Sequence, residues 1–175
     1  ALTSITAYER VDAYSRGDID GGFGADFLGA GASGPGSIPF PSESADGIPF
    51  HRQFTQELRL AGDNGPPGYT VGFYYFNESI KIDSYSYNTL AGGAQDGFAY
   101  QNQKTESWAL FANLDYDVTE QLNLGGGIRY SDDKKDFLAQ RTQSPFGAGP
   151  TGVITPSPDG SEISFNLNAT YAGKD

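Results

Sequence analysis

Between Trp108 and Asp136 the chain reads WALFANLDYDVTEQLNLGGGIRYSDDKKD, with apolar residues at every second position on both sides of one polar break. Trp108, Leu110, Ala112, Leu114, Tyr116 and Val118 share one face of an extended segment, and Ser107, Asn113, Asp115 and Asp117 lie on the other. After the break, Leu122, Leu124, Gly126, Ile128 and Tyr130 alternate with Asn123, Gly125, Gly127, Arg129 and Ser131. A helix repeats its faces every 3.6 residues or so, and only a strand keeps a period of two. Two such strands joined by VTEQL form a hairpin with one apolar and one polar face.

Four further segments carry strand character. LTSITAYERVDAYS (Leu2 to Ser15) is rich in Thr, Ile, Tyr and Val, with weak alternation. In QFTQELRLAG, Phe54, Leu58 and Leu60 oppose Glu57 and Arg59, and GDNGPPG then reads as a compact turn. In YTVGFYYFNESIKIDSYSY, Tyr69, Val71, Phe73 and Tyr75 share a face until the pattern turns polar near Asn77. EISFNLNATYAG sets Ile163, Phe165, Leu167, Ala169 and Tyr171 against Ser164, Asn166, Asn168 and Thr170. The tracts Gly17 to Pro49, NTLAGGAQDG and Asp132 to Gly160 read as loops, so the connections alternate long, short, long, short, long.

That rhythm points to a membrane wall. Outer-membrane barrels join strands by short turns on one side and long loops on the other, an asymmetry a soluble sandwich lacks. From Trp108 to Tyr116 a strand tilted near 40° climbs about 20 Å, close to the apolar band of such a barrel. Tyr69, Tyr116 and Tyr171 sit beside short turns or the strand end, as one aromatic girdle, with Trp108 and Tyr130 at the opposite height. No run of apolar residues reaches helix-spanning length, which does not bear on strands.

Composition narrows the chemistry. Only 37% of the residues are hydrophobic and 24 are Gly, which disfavours ordinary helical or α/β packing. Cys and Met are both absent, so disulfides and thiol chemistry are excluded. A net charge of -11, with 11 basic residues against 22 acidic ones, argues against a nucleic-acid partner. The opening at Ala1 directly on strand-like residues, with neither initiator Met nor leader, reads as an internal or processed piece of a longer chain.

Taken in order, FTQELRLAG, GFYYFNESI, SWALFANLDYDVTEQLNLGGGIRYSDDKKDF and SFNLNATYAGKD resemble barrel strands of TonB-dependent outer-membrane receptors, and LTSITAYER resembles an earlier strand of the same barrels. The resemblance covers all six strand segments and none of the loops. It implies an all-β, antiparallel up-and-down transmembrane barrel of about 22 strands, of which residues 1–175 would be part of a single barrel domain. It further implies a bacterial outer-membrane location, a plug domain in the lumen, and uptake of a scarce ligand (a ferric siderophore, cobalamin or an oligosaccharide) energised through TonB. Plug, TonB box and a terminal strand ending in an aromatic residue are not found in this sequence.

On that reading Glu57, Arg59, Asn113, Asp115, Asn123, Arg129, Asn166 and Asn168 face the lumen, where plug contact and hydration are favoured over ligand binding. Tyr69, Trp108, Leu110, Leu114, Tyr116, Ile128, Tyr130, Phe165 and Tyr171 face lipid or its interface. Ligand choice is expected from residues 17–49, 84–103 and 132–160. No catalytic residue, cofactor or metal is expected. GAGASG (Gly29 to Gly34) matches a dinucleotide pattern in letters only, since Pro35 follows where a helix should start. His51, the single histidine, has no triad partners in recognisable order and reads as structural at a strand start. DDKKD and the pair Asp18 and Asp20 lack the spacing of a calcium loop. The rival readings are a passive porin or adhesin-type barrel, and a soluble all-β module whose apolar faces would aggregate in water.

Overall fold

A computed structural model describes residues 1–18, 42–62, 65, 67–88, 94–144 and 149–173. Six strands run β1 Leu2–Asp18, β2 Ser42–Gly62, β3 Gly68–Asn88, β4 Gln95–Asp117, β5 Leu122–Gln143 and β6 Asp159–Tyr171. They form one antiparallel sheet in sequence order, each strand beside its chain neighbour. This is up-and-down topology, and within these residues the sheet does not close on itself. Among the described residues no helix is long and apolar enough to cross a membrane.

The register carries the alternation across the sheet. Leu2 pairs with Leu60, Leu60 with Val71, Val71 with Ala112, Ala112 with Ile128 and Ile128 with Phe165. Directly paired residues point to the same side, so period two along each strand becomes one continuous apolar face. A single layer leaves little to bury: among the described residues Ala45 and Ala109 are the buried apolar ones, and no large side chain is fully enclosed. Phe165 is 80% exposed and Leu167 85%, which water would not tolerate over so wide an area.

At one end the strands turn tightly. Thr119 Oγ1 accepts the N–H groups of Gln121 (3.2 Å) and Leu122 (3.0 Å), while Val118 N–H donates to Leu122 O at 2.9 Å. The hydroxyl thus occupies backbone donors that the reversal would leave unpaired, which is why Thr suits this corner.

The opposite end departs from the sequence reading. Residues 42–49, expected within a long loop, belong to β2, and residues 95–103 belong to β4. DDKKD is not a loop base: residues 132–136 continue β5 and pair with 104–108 of β4. The residues between β3 and β4, 89–94, are therefore scarcely more numerous than those between β2 and β3, and the expected long-short rhythm holds only for the first and last connections on that end. Both faces are polar here, so strands persist without the contrast that reveals them. Pro49 sits where β2 carries an extra residue against both neighbours, between Gly47 and Phe50, a bulge that needs no N–H from proline.

The Pro-rich tract after β5 also follows the sheet. Lys135, Phe137 and Ala139 donate their N–H groups to the carbonyls of Pro158 (2.9 Å), Pro156 (3.0 Å) and Ile154 (2.9 Å). Prolines accept but cannot donate, so at alternate positions along an edge they cover the upper part of β5 and offer nothing beyond it. His51 lies inside β2 rather than at a strand start, with Nε2 at 3.1 Å from Glu78 Oε1. Asp18 ends β1, while Asp20 and GAGASG lie outside the described residues.

Candidate functional site

The polar face is ordered in rows. One row runs Thr3, Arg59, Gly72, Phe111, Arg129, Ser164, and the next towards the strand middles runs Ile5, Glu57, Tyr74, Ala109, Ser131, Glu162. Glu57 and Arg59, two apart on β2, form an ion pair along the strand. With Thr70, Tyr74, Phe111, Asn113 and Arg129 they line an open concavity of about 820 Å³. Its walls combine two guanidinium groups, one carboxylate, one amide and two aromatic rings. That set can hold a polar segment or an anionic group by hydrogen bonds and a planar group by stacking.

Below it, β5 lays down a floor without side chains. A Cβ on Gly127 would meet Asn113 and Asn166, and one on Gly125 would meet Asp115 and Asn168. The two glycines let polar side chains of β4 and β6 lean inward over β5, making an amide and carboxylate ladder. Asn123 stands lower, where its Nδ2 donates to Asp117 Oδ1 at 2.8 Å. The eight polar candidates therefore share one face. Glu57, Arg59, Asn113 and Arg129 gather at the concavity, Asp115, Asn166 and Asn168 form the ladder beside it, and Asn123 belongs to the turn.

Tyr74, Phe111 and Thr70 are site residues that the sequence reading passed over. The signal was present at Ala109 and Phe111, two apolar residues among the polar positions of β4, and in the run Phe73 to Phe76, which puts rings on both faces. Phe111 packs so closely over Gly72 that a Cβ there would meet its ring and the Leu58 carbonyl at 2.8 Å.

The other face carries Tyr69, Trp108, Leu110, Leu114, Tyr116, Ile128, Tyr130, Phe165 and Tyr171 together, as the register requires. Its upper border is aromatic: the Trp108 and Tyr130 rings lie 5.3 Å apart, and Phe54 and Tyr75 6.3 Å. Above that border the same face turns charged, with Glu106 opposite Lys134 and Lys104 opposite Asp136. Higher still, Tyr85 lies 5.1 Å from Phe98 and 6.2 Å from Tyr14. Burial pushes the Tyr85 hydroxyl pKa up, and the Asp83 carboxylate adds to the rise. Among the described residues no group of three or more His, Asp or Glu side chains is placed to hold a metal ion.

Comparison with known proteins agrees with this architecture. The chain is 30% identical over 100 residues to the pesticin receptors of Yersinia enterocolitica and Yersinia pestis, a match covering 54% of the chain and 14% of the receptor. Its fold is similar to that of the ferric yersiniabactin uptake receptor FyuA from Yersinia pestis (TM-score 0.63, 22% identity, 78% of this chain and 23% of that one). It is also similar to the ferric-catecholate import receptor Fiu from E. coli K12 in its open form (TM-score 0.50, 16% identity, 97% of this chain and 30% of that one). The chain thus spans less than a third of each of these relatives. Residues 3–174 match the model of the TonB dependent receptor-like β-barrel, and with six antiparallel strands in meander order the chain belongs to that family.

Proposed function

We propose that this chain is part of the barrel wall of a bacterial outer-membrane receptor that takes up a scarce ligand, a ferric siderophore first of all, with energy delivered through TonB. The observation that carries the reading is the two-faced sheet. An apolar face bounded by Trp108, Tyr130, Phe54 and Tyr75 above and by Tyr69, Tyr116 and Tyr171 below has the height of a bilayer band, while its reverse carries ions, amides and glycines. Lipid suits the first face and a hydrated, plugged lumen the second. The pesticin receptors are relatives in sequence, and the yersiniabactin receptor shares the fold, which makes a ferric chelate the first ligand to test.

On this proposal the polar concavity contacts the plug rather than the ligand. Glu57, Arg59 and Arg129 lie within the height of the apolar band, where a folded plug would fill the lumen. On this reading the wall's role is binding, and no covalent chemistry is asked of it. The remaining strands would complete the sheet from β1 and β6, whose outer edges carry unpaired backbone groups.

The test is uptake of radio-iron presented as a ferric siderophore by cells whose only candidate receptor is the full-length protein carrying this chain. Uptake that requires both the receptor and TonB supports the proposal. Uptake that persists without TonB points to a passive pore, and a receptor recovered in the soluble fraction without detergent overturns the membrane reading altogether.

A further inference from the structure

The outward face carries a third tier of rings, Tyr14, Tyr85, Phe98 and Tyr100, that neither girdle accounts for. Tyr100 lies eight residues above Trp108 on β4, the same interval that separates Trp108 from Tyr116. The tier therefore stands about 20 Å beyond the upper girdle, clear of the apolar band. At its level Tyr14 pairs with Gly47, Gly47 with Asp83 and Asp83 with Tyr100. The β2 bulge between Gly47 and Phe50 interrupts the ladder here, and an open cleft of about 340 Å³ is lined by Asp12, Tyr14, Gly47, Pro49, Asp83 and Tyr85. A Cβ on Gly47 would stand 3.4 Å from the Tyr14 ring, so the glycine lets that ring lie close to the wall.

The acids of the cleft are half used. The Asp83 side chain is only 9% exposed, with Lys81 Nζ 3.3 Å from its Oδ2, and among the described residues no donor reaches its Oδ1. Arg10 directs both of its bonds to Asp12 at Oδ2 as well. Each carboxylate thus has its charge matched and one oxygen left over. A buried acceptor without a partner is costly, and what would complete it is a donor that brings no further charge. Tyr14 is 61% exposed, which leaves its ring room to tilt and admit such a group towards Asp83. A sugar meets these terms: a pyranose has a flat face of C–H groups to lie on tyrosine and proline rings, and a rim of neutral hydroxyls to donate to carboxylates. An ammonium group also suits rings beside acids, but Lys81 and Arg10 already fill that role. Resting on the membrane orientation given under Proposed function, which puts this tier outside the wall and above the lipid, we infer that the cleft binds a neutral pyranose unit of an oligosaccharide. Asp83 and Asp12 accept from its hydroxyls, and Tyr14 and Tyr85 stack on its face.

The experiment uses the full-length receptor carrying this chain, fluorescently labelled, in a polyoxyethylene detergent that carries no sugar. It is passed over immobilised gluco-, manno- and galacto-oligosaccharides and over sialylated ones. The wild type should be retained by at least one neutral series, and Tyr14→Ala and Asp83→Asn should each weaken that retention about tenfold. Tyr8→Ala, on the same face but outside the cleft, should leave it unchanged. Should Asp83→Asn fail to fold, Tyr14→Ala carries the test. No retention by any neutral series, or retention that the folded variants preserve, overturns the proposal. Stronger binding of choline or of the sialylated series also overturns it, by marking a site for charge. Competition by the free neutral sugar assigns the site to glycans of the medium, and competition only by the same sugar presented on a lipid assigns it to the membrane's own coat. Quenching of Trp108 by brominated acyl chains, scored against Trp108→Phe, separately checks the orientation. Quenching without saccharide binding sinks the cleft alone, and no quenching sinks the membrane reading beneath it.

Discussion

At the scale of single residues, two glycines of the polar face make different demands. At Gly127 an added methyl meets the ends of the Asn113 and Asn166 side chains, which can swing away, whereas at Gly72 it meets the Leu58 backbone carbonyl and the Phe111 ring. Gly72→Ala is therefore expected to cost about 1–3 kcal/mol and Gly127→Ala less than about 1 kcal/mol, read as shifts in the unfolding midpoint in detergent. Equal costs would show that the Phe111 ring yields as easily as an amide. Adjacent positions on β4 test the facing: in the reconstituted receptor a cysteine at Asn113, on the hydrated side where plug contact slows but does not seal access, should react with a water-soluble thiol reagent faster than one at Leu114, which lipid shields. Similar rates at both positions would remove the basis for assigning lipid and lumen to the two faces.

At the scale of elements, the lower halves of the strands were legible and the upper halves were not, for one physical reason. From Trp108 to Tyr116 the outward residues are apolar and the inward ones polar, so alternation announces the strand. From Gln95 to Ser107 the outward Lys104 and Glu106 are as polar as their inward neighbours Gln103 and Thr105, and nothing in the letters distinguishes a wet strand from a loop. Gly47 and Pro49 made the start of β2 read as part of a long loop, although Gly47 pairs in register and a bulge absorbs Pro49. The candidate site was half legible: its charged and amide members stood out, while Tyr74 and Phe111 were concealed among rings that serve the other face. The extension of β5 is open to measurement. Amide protons of Lys135, Phe137 and Ala139 should exchange slowly, since each is held by a carbonyl of the following tract. Exchange as fast as in a free coil would separate that tract from the sheet. At the other end, Thr119→Ala removes the acceptor for two backbone donors and should lower stability by about 1 kcal/mol, with Thr119→Ser restoring most of it.

At the scale of the whole molecule, a one-layer sheet has no interior of its own. With only Ala45 and Ala109 as buried apolar residues among the described ones, residues 1–175 expressed alone should aggregate in buffer and remain dispersed only with detergent, as sedimentation would show. A monodisperse, detergent-free monomer would mean that the apolar face folds onto something within the chain itself. The strands also run well past the aromatic border: from Tyr75 to the end of β3 at Asn88 a strand tilted near 40° climbs roughly 33 Å, more than the distance between the two girdles. The rim of the receptor would then stand clear of the cell surface like a parapet. On the proposed orientation, an epitope tag spliced between β3 and β4 would be carried on backbone-paired strands well beyond the aromatic border, so its exposure to an antibody would be set by the strands as much as by the loop itself.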